Sequence, residues 1–217
     1  EQVGRYVIGS LQKTIAMIGF LGRVMVTIFG LILRPSRIRW TAIVHHMQQV
    51  GLNAVPIVSL MAFLIGVVLA FQGAAQLRQF GAEVFVVDLI AISILRELGI
   101  LLTAIIVAGR SGSAFTAAIG SMKMREEIDA MRTLGLDPVE VLVVPRVIAL
   151  VLMLPVLGVI ANFAGLIGGG LMSWIELGVS PGVFQARLLS NTDVQHFFVG
   201  LFKAPFFALI ISIVGCF

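Results

Sequence analysis

The chain has 217 residues, of which 59% are hydrophobic and 12% charged, with a mean hydropathy of +1.08. A soluble domain is about 45–50% apolar and about 25% charged, so the composition excludes one and points to an all-α integral membrane protein. The apolar runs are too long and uniform for the alternating strands of a barrel, and the net charge of +4 is the Lys and Arg excess of cytoplasmic flanks rather than a sign of nucleic-acid binding.

Residues 14–33 form the first apolar run. Gln12, Gly19, Arg23, Thr27, Gly30 and Arg34 recur in it at steps of three, four or seven, making one polar or small stripe on a helix. Arg5 and Lys13 precede it, and Arg34, Arg37 and Arg39 follow. A helix lying in the cytoplasmic interface, with Arg23 reaching water, explains both features. A spanning helix with one buried Arg is the alternative. Residues 36–54 read as a mixed, solvated connector. Its adjacent His45 and His46 point about 100° apart on a helix and make no ready metal pair. The chain starts at Glu1 and stops at Phe217 inside an apolar run, so it is expected to be part of a longer protein. Its organisation is then an N-terminal interfacial helix and connector over 1–54, and a C-terminally truncated membrane domain over 55–217.

Four spans follow, over about 55–74, 84–108, 147–172 and 196–217. The third carries Pro155 and the cluster Gly165, Gly168, Gly169 and Gly170; the fourth carries Lys203 and Pro205. Before the first span lie Arg5, Lys13, Arg23, Arg34, Arg37 and Arg39. The next connector has Arg78 alone, the central loop has Arg110, Lys123, Arg125, Arg132 and Arg146, and the last connector has Arg187 alone. The alternation of six, one, five and one sets the N-terminus and the central loop inside and both short connectors outside.

The central stretch, Gly109 to Arg146, interrupts the apolar pattern. Its first part is a ridge of small residues, Gly109, Ser113, Ala117 and Ser121, beside a second of Gly112, Thr116 and Gly120. Such ridges let helices approach closely in membranes. It is not a phosphate loop. That motif needs Gly directly before Lys, whereas Lys13, Lys123 and Lys203 follow Gln, Met and Phe. The chain alone therefore should not hydrolyse ATP. Residues 122–134 follow as an amphipathic helix, with Met124, Ile128, Met131 and Leu134 on one stripe and Lys123, Arg125, Glu126, Glu127, Asp129 and Arg132 around it. Gly135 supplies a left-handed cap, and Asp137–Pro138 prevents continuation. Periodicity leaves two readings open: a solvated helix resting on the membrane, or a helix that docks into a partner's groove.

Arg96 and Glu97 sit midway through the second span. Intramembrane charges are costly and usually face a bundle interior or a wet cavity. Being adjacent, the two should not share a helix face, and each should find another partner or a ligand. A structural ion-pair network is the alternative. Lys203 and Asp88 are weaker candidates. Catalytic patterns are missing: His45, His46, His196 and Cys216 fall into no HExxH, GxSxG or paired-cysteine motif.

The run AGRSGSAFTAAIGSMKMREEIDAMRTLGLDPVEVLVVPRVIA, with LRELGI before it and the earlier Phe71–Gly73, resembles the MlaE-type permeases. These are membrane subunits of ABC transporters that move phospholipids between bacterial membranes. The resemblance covers nearly the whole chain. It implies a homodimer in the bacterial inner membrane, a cytoplasmic ABC ATPase that carries the ATP and Mg, a periplasmic MCE-domain protein and often a STAS-domain protein. It implies an interfacial helix followed by five spans, of which this chain would contain four. It also implies that the 122–134 segment, through Met124, Glu126, Glu127, Ile128, Asp129 and Met131, couples to the ATPase, and that Arg96 and Glu97 line a lipid cavity. Ala118, Glu127 and Ile100 stand where the family often has Glu, Gln and Pro. Against this stand two rivals: an ion-coupled secondary transporter working through Arg96 and Glu97, and a structural anchor for a periplasmic complex.

Overall fold

The computed structural model describes residues 2–33, 39–81 and 85–217, and these are almost entirely helical, with no strand among them. Helix α1 is Gln2–Leu33 and α2 is Trp40–Val50. A tight turn at Leu52–Ala54 then leads straight into α3, Val55–Arg78. Helix α4 runs from Val86 to Met124, broken only by wider π turns at Ile94–Leu98 and Ala108–Gly112. The short α5 is Glu127–Thr133. Helix α6 is Val139–Leu177 and opens with a π turn over its first five residues. Helices α7, Pro181–Asn191, and α8, Val194–Cys216, complete the chain.

Among the described residues, five helical stretches are long and apolar enough to cross a membrane: Gly9–Leu31, Trp40–Arg78, Val86–Met124, Val139–Leu177 and Val194–Cys216. That is one more than the four spans expected, and the extra one is α1. Its contacts separate it from the rest. The middle of α1 meets the loop end of the bundle: Phe20 lies 5.8 Å, ring to ring, from Phe217, and Phe20 and Arg23 share a groove with Lys123, Val139 and Val143. Val24 is fully buried there. A helix running alongside the others would meet their middles with its own middle. One lying across their ends makes the contacts seen. The flanking Arg34 and Arg37 fall outside the described residues.

Helix α6 is the central post, with α2, α3, α8 and the middle of α4 packed on it. The α3–α6 seam is made of small residues, Ala62 and Gly66 against Gly165, Gly168 and Gly169, while Gly73 faces Val86 and Leu89 of α4. A β-carbon on Gly66 would collide with the Gly165 carbonyl, and one on Gly168 with the Phe63 backbone. In lipid, where apolar burial gives little drive, such backbone approach is what holds helices together. Arg78 ties the outer end of the same pair, donating to the Glu176 carbonyl at 2.8 Å and meeting its carboxylate at 3.4 Å.

Two connectors differ from expectation. Residues 40–50 are helical and lean on α6, with Ile43 and Val50 buried, instead of forming a solvated link. The outer connector folds into α7, where the Ser180 hydroxyl accepts from the Val183 amide, Pro181 takes the first turn and Phe184 is buried.

Candidate functional site

Two places concentrate polar chemistry. The first lies within the membrane. Arg96 and Glu97 stand on the π turn Ile94–Leu98, about 15 Å along α4 from its outer end at Val86. Lys203 stands about 14 Å along α8 from Val194. Equal depth lets them meet. The Lys203 ammonium donates to Glu97 Oε2 at 2.6 Å, and Arg96 Nε lies 3.5 Å from Glu97 Oε1. Adjacency was expected to keep Arg96 and Glu97 apart; instead Arg96 reaches the Glu97 carboxylate from one side and Lys203 from the other. The approach depends on Gly200, one turn before Lys203, because any side chain there would strike the Leu95 carbonyl. The π turn has a second effect. Its displaced Arg96 carbonyl faces Lys203 Nζ at 3.5 Å.

This ion-pair cluster is not sealed inside the chain. The side chains of Arg96, Glu97 and Lys203 are 50%, 55% and 36% exposed. Lys203 stands at the edge of an open cleft of about 660 Å³, whose other walls are Pro155, Phe198, Val199, Leu201, Phe202 and Pro205. The arrangement offers a charged patch and an apolar wall at one depth. The adjoining Asn162 is buried with both side-chain polar atoms unpartnered, and its Oδ1 fills the space a side chain at Gly99 would take.

The second place is the loop end. Residues 122–134 do not form one amphipathic helix. Met124 is the last residue of α4, Arg125 leaves the helical region, and Glu126 is left-handed with φ 59°. Only Glu127–Thr133 is helical beyond the break. The expected stripe is therefore split. Met124 and Leu134 are 87% and 76% exposed, while Ile128 and Met131 are half-buried against the chain itself. Gly135, at φ 75°, closes α5 as anticipated: its amide bonds the Arg132 carbonyl at 3.0 Å and the Leu136 amide bonds the Met131 carbonyl at 3.0 Å. The Asp137 carboxylate then accepts from the Val139 amide at 3.0 Å and turns the chain into α6. Asp129 pairs with Arg132 at 3.1 Å, and Glu127 lies 4.0 Å from Arg125.

The small-residue ridge continues α4 beyond the hydrocarbon. Gly112 packs on α8, where a β-carbon would touch Ile211 at 3.6 Å, and the Thr116 hydroxyl reaches the Gly215 carbonyl at 2.8 Å. Gly109 and Gly120 have open space around them in the single chain. Arg146, grouped in the sequence with the solvated loop charges, is 4% exposed. Its guanidinium lies over the Phe115 ring at 5.6 Å, beside Cys216, with Nε and Nη1 unpartnered. Lys203 is the functional candidate that the sequence left weak. Its depth matches that of Glu97 only because the observed helix begins at Val194, two residues before the expected span.

These elements define a multi-pass helical membrane protein with charged groups held at mid-depth and a structured loop end. Residues 43–217 match the family model for Permease MlaE. The chain is 36% identical over 205 residues to a probable ABC transporter permease protein of Synechocystis, covering 94% of this chain and 76% of that protein. It is 35% identical over 175 residues to one of Rickettsia typhi, covering 81% and 68%. It is also 34% identical over 200 residues to the intermembrane phospholipid transport system permease protein MlaE of Haemophilus influenzae, covering 91% and 77%. The chain belongs to the MlaE permease family and is a permease subunit.

Proposed function

We propose that this permease moves phospholipid between the bacterial inner membrane and a periplasmic MCE-domain carrier. It works as a homodimer, driven by a separate cytoplasmic ABC ATPase that binds the ATP and Mg, with a STAS-domain protein associated with that ATPase. The observation that carries the reading is the half-exposed Glu97–Lys203 pair at mid-depth, bordering an apolar cleft. A charge pair facing lipid tails would be expensive. One facing a cavity between two protomers can meet a polar headgroup while the Phe198 and Phe202 wall receives acyl chain. The name of the Haemophilus relative supports the same substrate class.

Coupling runs through the loop end. In this reading Met124 and Leu134, the exposed members of the split stripe, enter the ATPase surface, with Glu126, Glu127 and Asp129 at the rim. Ile128 and Met131 hold α5 in place from beneath. The test is lipid transfer by the assembled complex in proteoliposomes. Glu97→Ala and Lys203→Ala each slow transfer by roughly an order of magnitude while assembly is unchanged, and the exchanged pair Glu97→Lys with Lys203→Glu recovers part of it. Transfer at the wild-type rate in both single variants would remove the pair from the transport path.

A further inference from the structure

A second polar site lies at the loop end of the bundle, away from the mid-depth Glu97–Lys203 pair. A groove of about 270 Å³ opens between α1, the end of α4, α5, the start of α6 and the end of α8. Its floor is apolar, with Phe20, Ile119, Leu142, Val143 and Phe217. Its rim carries Arg23 from α1, Lys123 from α4 and Arg132 from α5, against Asp129 as the one acid in the lining. Three cations and one carboxylate leave a formal surplus of two positive charges. Arg132 shares its charge with Asp129 at 3.1 Å. Among the described residues neither Arg23 nor Lys123 has an ion-pair partner.

These cations come from segments about a hundred residues apart in sequence, so the fold itself gathers them. Like charges beside a low-dielectric floor repel unless an anion joins them. The groove also lies where α1 crosses the loop end of the bundle, and its Cys216 is about 20 Å along α8 from Lys203. That is the level of the inner membrane surface in the orientation set by the basic loops. Basic pockets at that level, with an apolar floor, suit an anionic lipid.

We propose that this groove binds the headgroup of an anionic phospholipid of the cytoplasmic leaflet, with the phosphodiester among Arg23, Lys123 and Arg132 and the upper acyl chain on Phe20 and Phe217. The bound lipid pins α1 to α5 and thereby sets the position of the loop end. A zwitterionic headgroup brings its own cation and gains less from the surplus charge. A protein partner is the lesser fit. The outward apolar residues of this region, Met124 and Leu134, lie outside the groove, and Ile128 points into it.

The experiment uses the full-length permease in detergent, titrated with dioctanoyl phosphatidylglycerol, with dioctanoyl phosphatidylcholine as comparison. The double variant Arg23→Gln/Lys123→Gln is expected to bind phosphatidylglycerol about 25-fold more weakly, from about fivefold for each basic residue removed. Arg23→Lys retains binding, and Arg110→Gln, outside the groove, leaves it unchanged. Thermal melts confirm that the variants remain folded. Equal binding of phosphatidylcholine by the wild type overturns the proposal. So does unchanged phosphatidylglycerol affinity in the double variant; if that variant instead loses the co-purifying ATPase, the groove is a protein-docking surface. Displacement of the lipid by millimolar inorganic phosphate alone would also refute it, since the floor would then contribute nothing.

Discussion

Glu97 accepts from Lys203 and lies beside Arg96, so two cations share one carboxylate beside a cleft otherwise lined by Phe, Pro, Leu and Val. The triad therefore keeps one positive charge in surplus, which suits a phosphate-bearing headgroup better than a neutral one. Gly200 controls whether the triad forms. Gly200→Val should push α8 off the Leu95 carbonyl, lengthen the Glu97–Lys203 contact and destabilise the protein by about 1–3 kcal/mol, read as a lowered melting temperature in detergent. Gly73→Ala is the control: its nearest neighbours lie 3.4 Å or more from a β-carbon, and its melting temperature should stay close to the wild type. Gly135 is a different kind of glycine. Its left-handed backbone closes α5, and Gly135→Ala should cost about 1–2 kcal/mol locally, seen as faster amide exchange over Glu127–Thr133.

At the scale of elements, the break at Arg125–Glu126 matters most. A helix of seven residues held by a left-handed residue before it and a glycine cap after it has a fixed exit angle at both ends. That geometry decides which substitutions report on docking. Met124→Asp and Leu134→Asp change exposed side chains, and should reduce co-purification of the ATPase without moving the melting temperature. Ile128→Asp, which buries a charge against the floor of the groove, should lower both. The sequence pattern placed Ile128 on one exposed stripe with Met124 because a continuous helix puts the two in line. The pattern holds no sign of the left-handed turn, since Glu rarely adopts it. The same limit applies to the π turns at Ile94–Leu98 and Ala108–Gly112, which leave the composition of α4 looking like an ordinary helix. By contrast, the Gly135 cap and the Asp137–Pro138 turn were legible, because each depends on a residue type with one strong backbone preference.

For the whole molecule, spans and charge alternation were readable in advance because lipid demands long apolar runs and basic inner loops. What the pattern could not supply was tertiary pairing: Glu97 with Lys203, Thr116 with Gly215, and the burial of Arg146 over Phe115. Each joins residues about 30 to 100 positions apart. The position of α1 is also a question of the whole fold, since length and composition alone allow it to cross. Single cysteines placed in a Cys216→Ala background check it. Ser10→Cys and Thr133→Cys should react with a membrane-impermeant maleimide only after the inner face is opened, and Gly182→Cys should react from outside. Labelling of Ser10→Cys from outside would mean that α1 crosses.

Helix α4 joins the two halves of this molecule in one rod. Glu97 and Met124 are about 40 Å apart along it, with a single π turn between them. No loop intervenes between the loop end and the charge triad, so in the proposed coupling the rod itself would carry a displacement from one to the other. The Ala108–Gly112 turn is the joint where that displacement would be divided. Above it the rod is clamped to α8 by the Gly200 contact and the Lys203 bond; just below, Gly112 and Thr116 hold the same helix again. Helices α4 and α8 are consequently tied to each other at two levels, and both also rest on α6, so the Glu97 face is carried by a three-helix unit rather than by one span.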